Sequence, residues 1–270
     1  MPELPEVETI ARNLRPALMG KTVIGARLLW PRTLVSPDFA EFQQRITGQV
    51  ITGTGRRGKY LIVFLTQDHF ILHLRMSGDL RVEPEIAKET PHDRLFLSLD
   101  NGYRLVFNDA RKFGRVWLVE DASVVTGSLG PEPLGDSFTP DVLYQRLQAH
   151  QRQLKPLLLD QSFLAGLGNI YTDESLHRAR LHPLTLSQHI SSEQAKMLWQ
   201  SIREILLEGI QSHGASIDWV YRGGEFQNHF RVYRRTGEAC PVCGAQIRRI
   251  VVGQRGTHIC PSCQPLEENF

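Results

Sequence analysis

The sequence lacks any hydrophobic run long enough to cross a bilayer. Its longest apolar stretch runs only from Tyr60 to Leu65, whereas a membrane helix needs ~20 apolar residues. The segment Met1 to Glu6 also lacks the apolar core of a secretory signal, so we expect a cytoplasmic protein. Hydrophobic residues make up 41% and charged residues 22% of the 270 residues, and such a composition excludes a disordered chain.

Lysine is scarce as well, since six of the 31 basic residues are lysine and the remaining 25 are arginine. The formal net charge is only +2, but it is distributed unevenly. Between Arg222 and Cys263, seven arginines stand against two glutamates. Because arginine presents a planar fork that matches phosphate oxygens, this region predicts a polyanion partner. The alternative is an arginine-rich composition with solvated side chains.

The order of the apolar patterns predicts an α+β protein with several domains. A helix is expected at 5–19, and short β-branched or aromatic stretches predict strands at 59–66, 69–76, 94–99, 103–108 and 115–119. So many strands between 21 and 120 predict a β-sandwich or barrel. The glycine- and proline-rich segment 127–136 is expected to be a linker. Helices should follow it at about 140–150, 155–164, 171–179 and 192–212.

The four cysteines follow the pattern Cys-x2-Cys-x16-Cys-x2-Cys and are Cys240, Cys243, Cys260 and Cys263. Two such pairs supply four thiolates to one tetrahedral Zn²⁺. Since the protein would fill all four positions, we expect a structural metal. Two disulfides are the alternative, which a reducing cytoplasm disfavours. Arginines between the pairs indicate a finger that binds nucleic acid: Arg248, Arg249 and Arg255.

A proline directly behind the initiator methionine is a candidate nucleophile. Met1 is normally removed before so small a residue, which would leave Pro2 with a free secondary amine. Such an amine forms an iminium with an aldehyde or a sugar C1′, and the dipole of the helix that follows disfavours its protonated form. Glu3 beside it could give or accept a proton. The alternative is ordinary helix-start chemistry, because proline is favoured in a first helical turn.

A cluster of bases marks the entry to a predicted strand. Arg56, Arg57 and Lys59 alternate with glycine in a turn and could clamp a phosphate there. The alternative for Lys59 is a solvated strand edge.

Two further turns combine bases with large apolar side chains. Arg111 and Phe113 lie in the loop 108–114, and Met76 lies in the turn of 73–78. A base and an aromatic ring together suit insertion into a base stack, where arginine bonds base edges and the ring fills space. Packing in the core is the alternative for Met76 and Phe113.

The segment Gly166–Tyr171 lies between two predicted helices. Its two glycines permit a tight turn that leaves backbone N–H groups near a helix start, where anions bind. Asn169 in this segment could contact a phosphate. A plain helix–helix turn is the alternative.

Taken together, these motifs resemble the bacterial formamidopyrimidine-DNA glycosylase family over essentially the whole chain. The matching segments occur in the family's order and are 2–9, 73–78, 109–114, 129–134, 166–171 and the four-cysteine finger. The resemblance implies an amino-terminal β-sandwich with a leading helix at 1–130. It further implies a helical helix-two-turn-helix domain at 131–230 and a β-hairpin zinc finger at 231–265.

The resemblance also implies a bifunctional DNA glycosylase and abasic-site lyase that excises 8-oxoguanine and formamidopyrimidines. Pro2 would attack C1′ and form a Schiff base, followed by β- and δ-elimination. Glu3 would act as general acid and base, while Lys59 and Arg255 would assist elimination. Its partner would be double-stranded DNA with oxidised or abasic sites, at the bacterial nucleoid, and its one cofactor would be the structural Zn²⁺. A monomer is expected.

The same resemblance implies the DNA-binding residues. Three of them would fill the void left by the flipped lesion: Met76, Arg111 and Phe113. Others would hold the backbone or lie near the lesion: His73, His92, Arg152, Lys155 and Asn169. Arg255 would join these backbone contacts, and Arg111 would face the orphaned cytosine.

Two departures from the family pattern bear on the lesion. The stretch 214–233 is shorter than the family's lesion-capping loop and carries Asp218–Tyr221 in an unusual sequence. Ala110 stands where many members have proline. A relative that prefers oxidised pyrimidines, of the endonuclease VIII-like kind, is therefore one alternative. A catalytically silent zinc-finger protein that binds damaged DNA is another.

Overall fold

The computed structural model describes residues 1–216 and 223–266. The chain forms two units. The first contains Met1–Ser128 and the described residues of Ser216–Gly224, and the second contains Leu129–Ala215 and the described residues of Glu225–Phe270. None of the helices in these ranges is both long and apolar enough to cross a membrane.

The first unit opens with helix α1 (Leu4–Leu18), close to the predicted 5–19. Pro5 lies in its first turn, and Glu6 accepts a hydrogen bond from the backbone N–H of Glu3 at 2.7 Å. The apolar residues at helical spacing, among them Val7 and Leu14, are buried. The buried face of α1 therefore anchors the amino terminus to the core of the first unit.

Two sheets follow helix α1 in the first unit. The five-stranded sheet has the order β2 (Leu34–Ser36), β9 (Arg115–Val119), β5 (His69–His73), β4 (Tyr60–Leu65) and β3 (Ile51–Arg57). The four-stranded sheet has the order β1 (Val23–Leu28), β7 (Asp93–Leu99), β8 (Tyr103–Asp109) and β6 (Gly78–Pro84). All pairs are antiparallel except β2 with β9.

One hydrophobic core lies between the two sheets and α1. It contains Val63 and Leu72 from the larger sheet together with Leu97 and Leu105 from the smaller one. The predicted β-sandwich with a leading helix is therefore confirmed, and so is the α+β fold class. Helix α2 (Phe39–Ile46), with Asp38 as its N-cap, was not expected among the strands.

Helices dominate the second unit, after the short helix α3 (Ser123–Thr126) that closes the first. They are α4 (Pro140–Gln148), α5 (Leu154–Leu159), α6 (Asn169–Arg178) and α7 (Ser192–Gln211). Helix α5 is shorter than the predicted 155–164. It stops because the Asp160 carboxylate accepts hydrogen bonds from the backbone and side chain of Ser162, which form a turn.

The second unit ends in a β-hairpin of β10 (Arg248–Val252) and β11 (Arg255–Ile259). Its turn consists of Gly253 and Gln254 with φ of 53° and 61°. Positive φ at both positions is the geometry of a tight hairpin turn, and Gly253 adopts it without strain. The cysteine pairs flank this hairpin, as the predicted zinc finger requires.

Candidate active site and nucleic-acid interface

Pro2 and Glu3 lie at the amino end of α1 and are both buried. Glu3, 3% exposed, is the N-cap residue of the helix. Its backbone N–H is held by Glu6, and its carbonyl accepts the N–H of Val7 at 3.1 Å. The start of the chain is therefore ordered, with a carboxyl group directly beside Pro2.

Lys59 lies in the turn between β3 and β4 and is only 5% exposed, so the interpretation as a solvated strand edge is wrong. Its positive charge acts on His73 at the end of β5. Burial, together with the charges of Arg75 and Lys59, lowers the pKa of His73 to about 3. The imidazole is therefore neutral near neutral pH, and its Nδ1 accepts the backbone N–H of Arg75 at 3.1 Å.

A buried carboxylate joins the two loops that sequence reasoning singled out. Asp109, fully buried, accepts hydrogen bonds from the Ser77 hydroxyl, the Arg111 N–H at 3.1 Å and the Gly114 N–H at 2.7 Å. The Arg111 N–H also donates to the Ser77 hydroxyl at 3.1 Å. A methyl group on Gly114 would come 2.3 Å from the Phe107 ring, so only glycine fits this close approach.

The turn 73–78 and the loop 108–114, called the wedge loops below, carry the residues predicted to fill the void of the flipped base. These wedge residues are Met76, Arg111 and Phe113, and all of them face solvent. Met76 is 40% exposed and Phe113 is 48% exposed, which contradicts the alternative that they pack in the core. The Arg111 guanidinium lies 4.9 Å from the centre of the Phe113 ring. Lys112 between them lies 3.9 Å from the centre of the Trp30 ring, which anchors the loop at its middle.

His92 is exposed on the segment that leads into β7. Arg94 ties this segment to β8, because its buried guanidinium donates to the carbonyls of Asp109 at 2.7 Å and Pro91 at 3.1 Å. The carbonyl of His92 itself accepts the N–H of Asp109 at 2.8 Å. The first unit thus carries an exposed histidine just before β7, where its backbone is hydrogen-bonded to Asp109.

Lys155, a predicted DNA contact, lies in the interior of the second unit. It is completely buried, and its ammonium donates to Asp173 at 2.6 Å, to the Thr257 hydroxyl at 2.8 Å and to the Gly256 carbonyl at 3.1 Å. An ammonium has three donors, and these bonds use all of them. Lys155 therefore supports the hairpin, and its contact with the lesion or its phosphate stays a prediction.

Asn169, the first residue of α6, holds the hairpin at the same point. Its amide donates to the Gly256 carbonyl at 3.0 Å, and its side-chain oxygen is buried without a hydrogen-bond partner among the described residues. Arg255, one residue before Gly256, is exposed at the hairpin tip. Arg152 is exposed too, and it pairs with Asp160 at 2.8 Å.

The four cysteine sulfurs converge on one point, with all Sγ atoms within 4.8 Å of one another. Cys240 lies 3.9 Å from Cys263, and Cys243 lies 3.4 Å from Cys260. Four sulfurs around one zinc, each at ~2.3 Å, stand about 3.8 Å apart. The residues therefore fit a single structural Zn²⁺, and the two-disulfide alternative does not describe them, since all four are free.

Sequence reasoning missed several residues that organise these groups. Asp173 is a buried acid whose partners Lys155 and His258 lie far along the chain, and Asp109 is a buried acid that also binds the distant Ser77 hydroxyl. Glu174 is another, since its carboxylate accepts the backbone N–H groups of 231–233 at 2.8 to 3.0 Å. For Asp173 and Glu174, the sequence signal was the presence of acids within an otherwise buried helix. The unusual capping-loop segment Asp218–Tyr221 lies outside the described residues.

A β-sandwich led by a helix, a helical unit and a four-cysteine hairpin together define the class of zinc-finger DNA glycosylases. Residues 1–116 match the formamidopyrimidine-DNA glycosylase N-terminal domain, residues 129–220 match the H2TH domain of the same enzymes, and residues 237–266 match the zinc finger found in FPG and IleRS. The chain belongs to the formamidopyrimidine-DNA glycosylase family. The resemblance inferred from the sequence is confirmed.

Individual relatives agree over the full length. The formamidopyrimidine-DNA glycosylase of Chloroflexus aurantiacus is 48% identical, with 98% of each chain covered. The Protochlamydia amoebophila enzyme is 44% identical, covering 98% of this chain and 99% of its own. Among solved structures, Lactococcus lactis FPG (MutM) with DNA containing Fapy-dG has a TM-score of 0.91 at 38% identity, over 98% of this chain and 100% of that one. MutM with carbocyclic 8-oxo-G DNA has a TM-score of 0.92 at 38% identity, with the same coverage.

Proposed function

We propose that this protein excises oxidised purines, 8-oxoguanine and formamidopyrimidines, from duplex DNA through an amine nucleophile at Pro2. It then cleaves the strand at the abasic sugar. Membership in the family supports the glycosylase activity, and the relatives' complexes with lesion-containing DNA support the substrate. Since such damage arises in the chromosome, we place its work at the bacterial nucleoid.

The chemistry begins when removal of Met1 frees the Pro2 nitrogen. Its lone pair forms a bond to C1′, and the bond from C1′ to the base breaks, so that the base leaves with the electron pair and takes up a proton. Opening of the C1′–O4′ bond then gives an iminium, with Glu3 giving the proton to O4′. A carboxyl group beside the nucleophile, in an ordered and buried helix start, supports this assignment.

Strand cleavage follows from the iminium. Loss of a C2′ proton expels the 3′ phosphate by β-elimination, and δ-elimination then expels the 5′ phosphate, which leaves a one-nucleotide gap. Lys59 supports the first step as a buried cation next to the neutral His73. Arg255 supports the second, since it is exposed on a hairpin tip held by Lys155 and Asn169.

The pair of loops tied together by Asp109 is the single observation that carries this proposal. Extrusion of a base leaves a hole that must be filled, and it costs a few kcal/mol. Met76, Arg111 and Phe113 are exposed on two loops that hydrogen-bond to each other, so they can enter one hole together. Arg111 then faces the orphaned cytosine, whose base edge can accept its hydrogen bonds.

Polar and basic side chains of both units supply the contacts to the DNA backbone. His92 in the first unit and Arg152, Asn169 and Arg255 in the second bind phosphates, which position the duplex without reading its sequence. The zinc held by the cysteines supplies folding energy to the hairpin that carries Arg255 and takes no part in the reaction.

Borohydride trapping of the processed protein tests the nucleophile. Two duplexes are compared, one with 8-oxoguanine opposite cytosine and one with thymine glycol. We expect a covalent complex mainly with the first duplex and none from a protein that retains an amino-terminal extension. A Pro5→Ala variant is the matched control, because it alters the helix start and leaves the Pro2 amine in place.

Trapping by the extended protein would overturn the role of Pro2. Trapping mainly with thymine glycol would assign the protein to oxidised pyrimidines. Binding of an abasic duplex without trapping on either lesion would favour a silent damage-binding protein.

A further inference from the structure

Three residues on one face of helix α6 contact the zinc-finger region, one at the hairpin tip, one at strand β11 and one at a cysteine. Asn169, Asp173 and His177 follow one another at intervals of four residues, so their side chains share one side of the helix. Asn169 bonds Gly256 at the hairpin tip, and Asp173 accepts the backbone N–H of His258 at 2.9 Å in the middle of β11. His177 continues this row to the cysteines.

The contact of His177 is with a cysteine sulfur. Its Nε2 lies 3.4 Å from the Sγ of Cys240, and the imidazole is 2% exposed. The other ring nitrogen, Nδ1, is buried without a hydrogen-bond partner among the described residues. Buried N–H groups are left unpaired more rarely than buried acceptors. The proton therefore belongs on Nε2, where it has a partner.

We infer that His177 is a positioning residue of the metal centre and donates its Nε2–H to the zinc-bound thiolate of Cys240. A thiolate is only an acceptor, so the direction of this hydrogen bond is settled once the metal is bound. Four thiolates around Zn²⁺ leave a net charge of −2, and a buried N–H donor disperses part of that charge. Outer contacts of this kind orient a ligand and strengthen metal binding.

The geometry also gives His177 a second effect. Because the same helix face reaches from Cys240 to Gly256, the hydrogen bond ties the metal end of the finger to the helix that holds its tip. This inference rests on the zinc assigned to the four cysteines and not on the chemistry at Pro2. Its failure would leave the proposed glycosylase mechanism untouched.

Zinc release from the full-length, zinc-loaded protein tests the inference. Transfer to a chromogenic chelator is followed without denaturant for the parent, His177→Leu and His177→Gln. We expect His177→Leu to release zinc about tenfold faster, since loss of an outer contact typically costs at least that factor. Glutamine can place an amide N–H near the position of Nε2, so His177→Gln should restore much of the retention.

The Co²⁺-substituted protein gives an independent spectroscopic readout. Removal of a hydrogen bond raises the energy of the thiolate electrons, so the thiolate-to-cobalt charge-transfer band of His177→Leu should move to longer wavelength. His182→Leu is the matched control, because His182 is another buried histidine of the same unit, and its ring nitrogen Nδ1 accepts the backbone N–H of Leu184 at 3.2 Å rather than contacting a cysteine.

Equal release rates and equal bands in His177→Leu and the parent would overturn the inference. So would equally fast release from His182→Leu, which would point to general loosening of the unit. If His177→Leu does not fold, His177→Gln is compared with His177→Asn, whose amide is one methylene shorter. The shorter side chain should release zinc faster, and equal rates for these two would refute the hydrogen bond.

Discussion

Replacement of Asp109 by asparagine should separate the wedge loops from the β-sandwich that carries them. The aspartate accepts three hydrogen bonds from two loops, and its side chain is completely buried. Asparagine keeps the shape but can offer only one acceptor oxygen. Whichever way the amide turns, at least one buried donor from Ser77, Arg111 or Gly114 meets an N–H₂ group.

The cost follows from these bonds. An unpaired buried donor costs about 1–3 kcal/mol, and each remaining bond loses the part of its strength that the charge supplied. Together these effects predict that Asp109→Asn lowers the free energy of unfolding by about 3 kcal/mol. For a unit of this size, the melting temperature should fall by about 10 °C. Ser77→Ala removes one of the three bonds and also one acceptor of the Arg111 N–H, which keeps its bond to Asp109, so the variant should cost about 1 kcal/mol.

The decisive assay compares function with stability. A 2-aminopurine placed opposite the lesion reports entry of the wedge, and excision is measured opposite cytosine and opposite adenine. Asp109→Asn should lose both the fluorescence change and the discrimination between opposite bases. Asp93→Asn is the control, because Asp93 is equally buried in the same unit but bonds Arg81, Asn108 and Thr90 and not the donors Ser77, Arg111 and Gly114 that Asp109 holds.

We expect Asp93→Asn to destabilise the unit while the opposite-base preference of the folded protein stays intact. Asp109→Asn with unchanged discrimination between opposite bases would refute the reasoning, because the loops would then keep their arrangement without the hydrogen bonds to the Asp109 carboxylate. Loss of discrimination in both variants would also refute it, since stability alone would explain the effect.

Other perturbations test separate parts of the molecule. Because burial lowers the pKa of His73 to about 3, the unfolded chain takes up a proton below its ordinary pKa while the folded protein does not. Stability should therefore fall by about 2 kcal/mol from about pH 7 to about pH 5 through this group alone, and His73→Gln, compared by denaturant titration, should show a correspondingly flatter pH dependence. Arg111→Ala should weaken discrimination of the base opposite the lesion with little change in melting temperature, and an unchanged preference would contradict its assignment to the orphaned cytosine. Cys240→Ala should lose zinc and DNA affinity together, as measured by metal analysis and fluorescence anisotropy, and a metal-free protein that still binds DNA with parental affinity would exclude a role for the finger.

Local signals predicted the elements whose ends are marked by turns. Strand β9 runs over Arg115–Val119 as expected, because Gly114 precedes it and Glu120–Asp121 follows it. Helix α2 escaped prediction because its eight residues lie among strands. The signal was present, since the Asp38 carboxylate caps the helix and accepts the N–H of Glu41 at 3.0 Å.

The cysteine cluster was predictable because residue type and spacing carry its chemistry, and the loops that expose Met76 and Phe113 were found in the same way. The site was not predictable where a role depends on distant partners. Lys155 is the clearest case, because its bonds to Gly256 and Thr257 join residues about a hundred positions apart. From the sequence, Lys155 was predicted only as a basic side chain near the DNA. The buried partners turn it into a support for the hairpin that carries Arg255. The domain bounds at 1–130, 131–230 and 231–265 stay a prediction.

Exposure of Met76 and Phe113 has a thermodynamic consequence. In the free protein these apolar side chains are 40% and 48% exposed to water. Their burial in a base stack would return roughly 4 kcal/mol, comparable to the cost of extruding a base. Apolar burial lowers the heat capacity and loses strength on cooling. Capture of a lesion should therefore weaken in the cold relative to the phosphate contacts, which would leave a larger share of the bound protein without an extruded base.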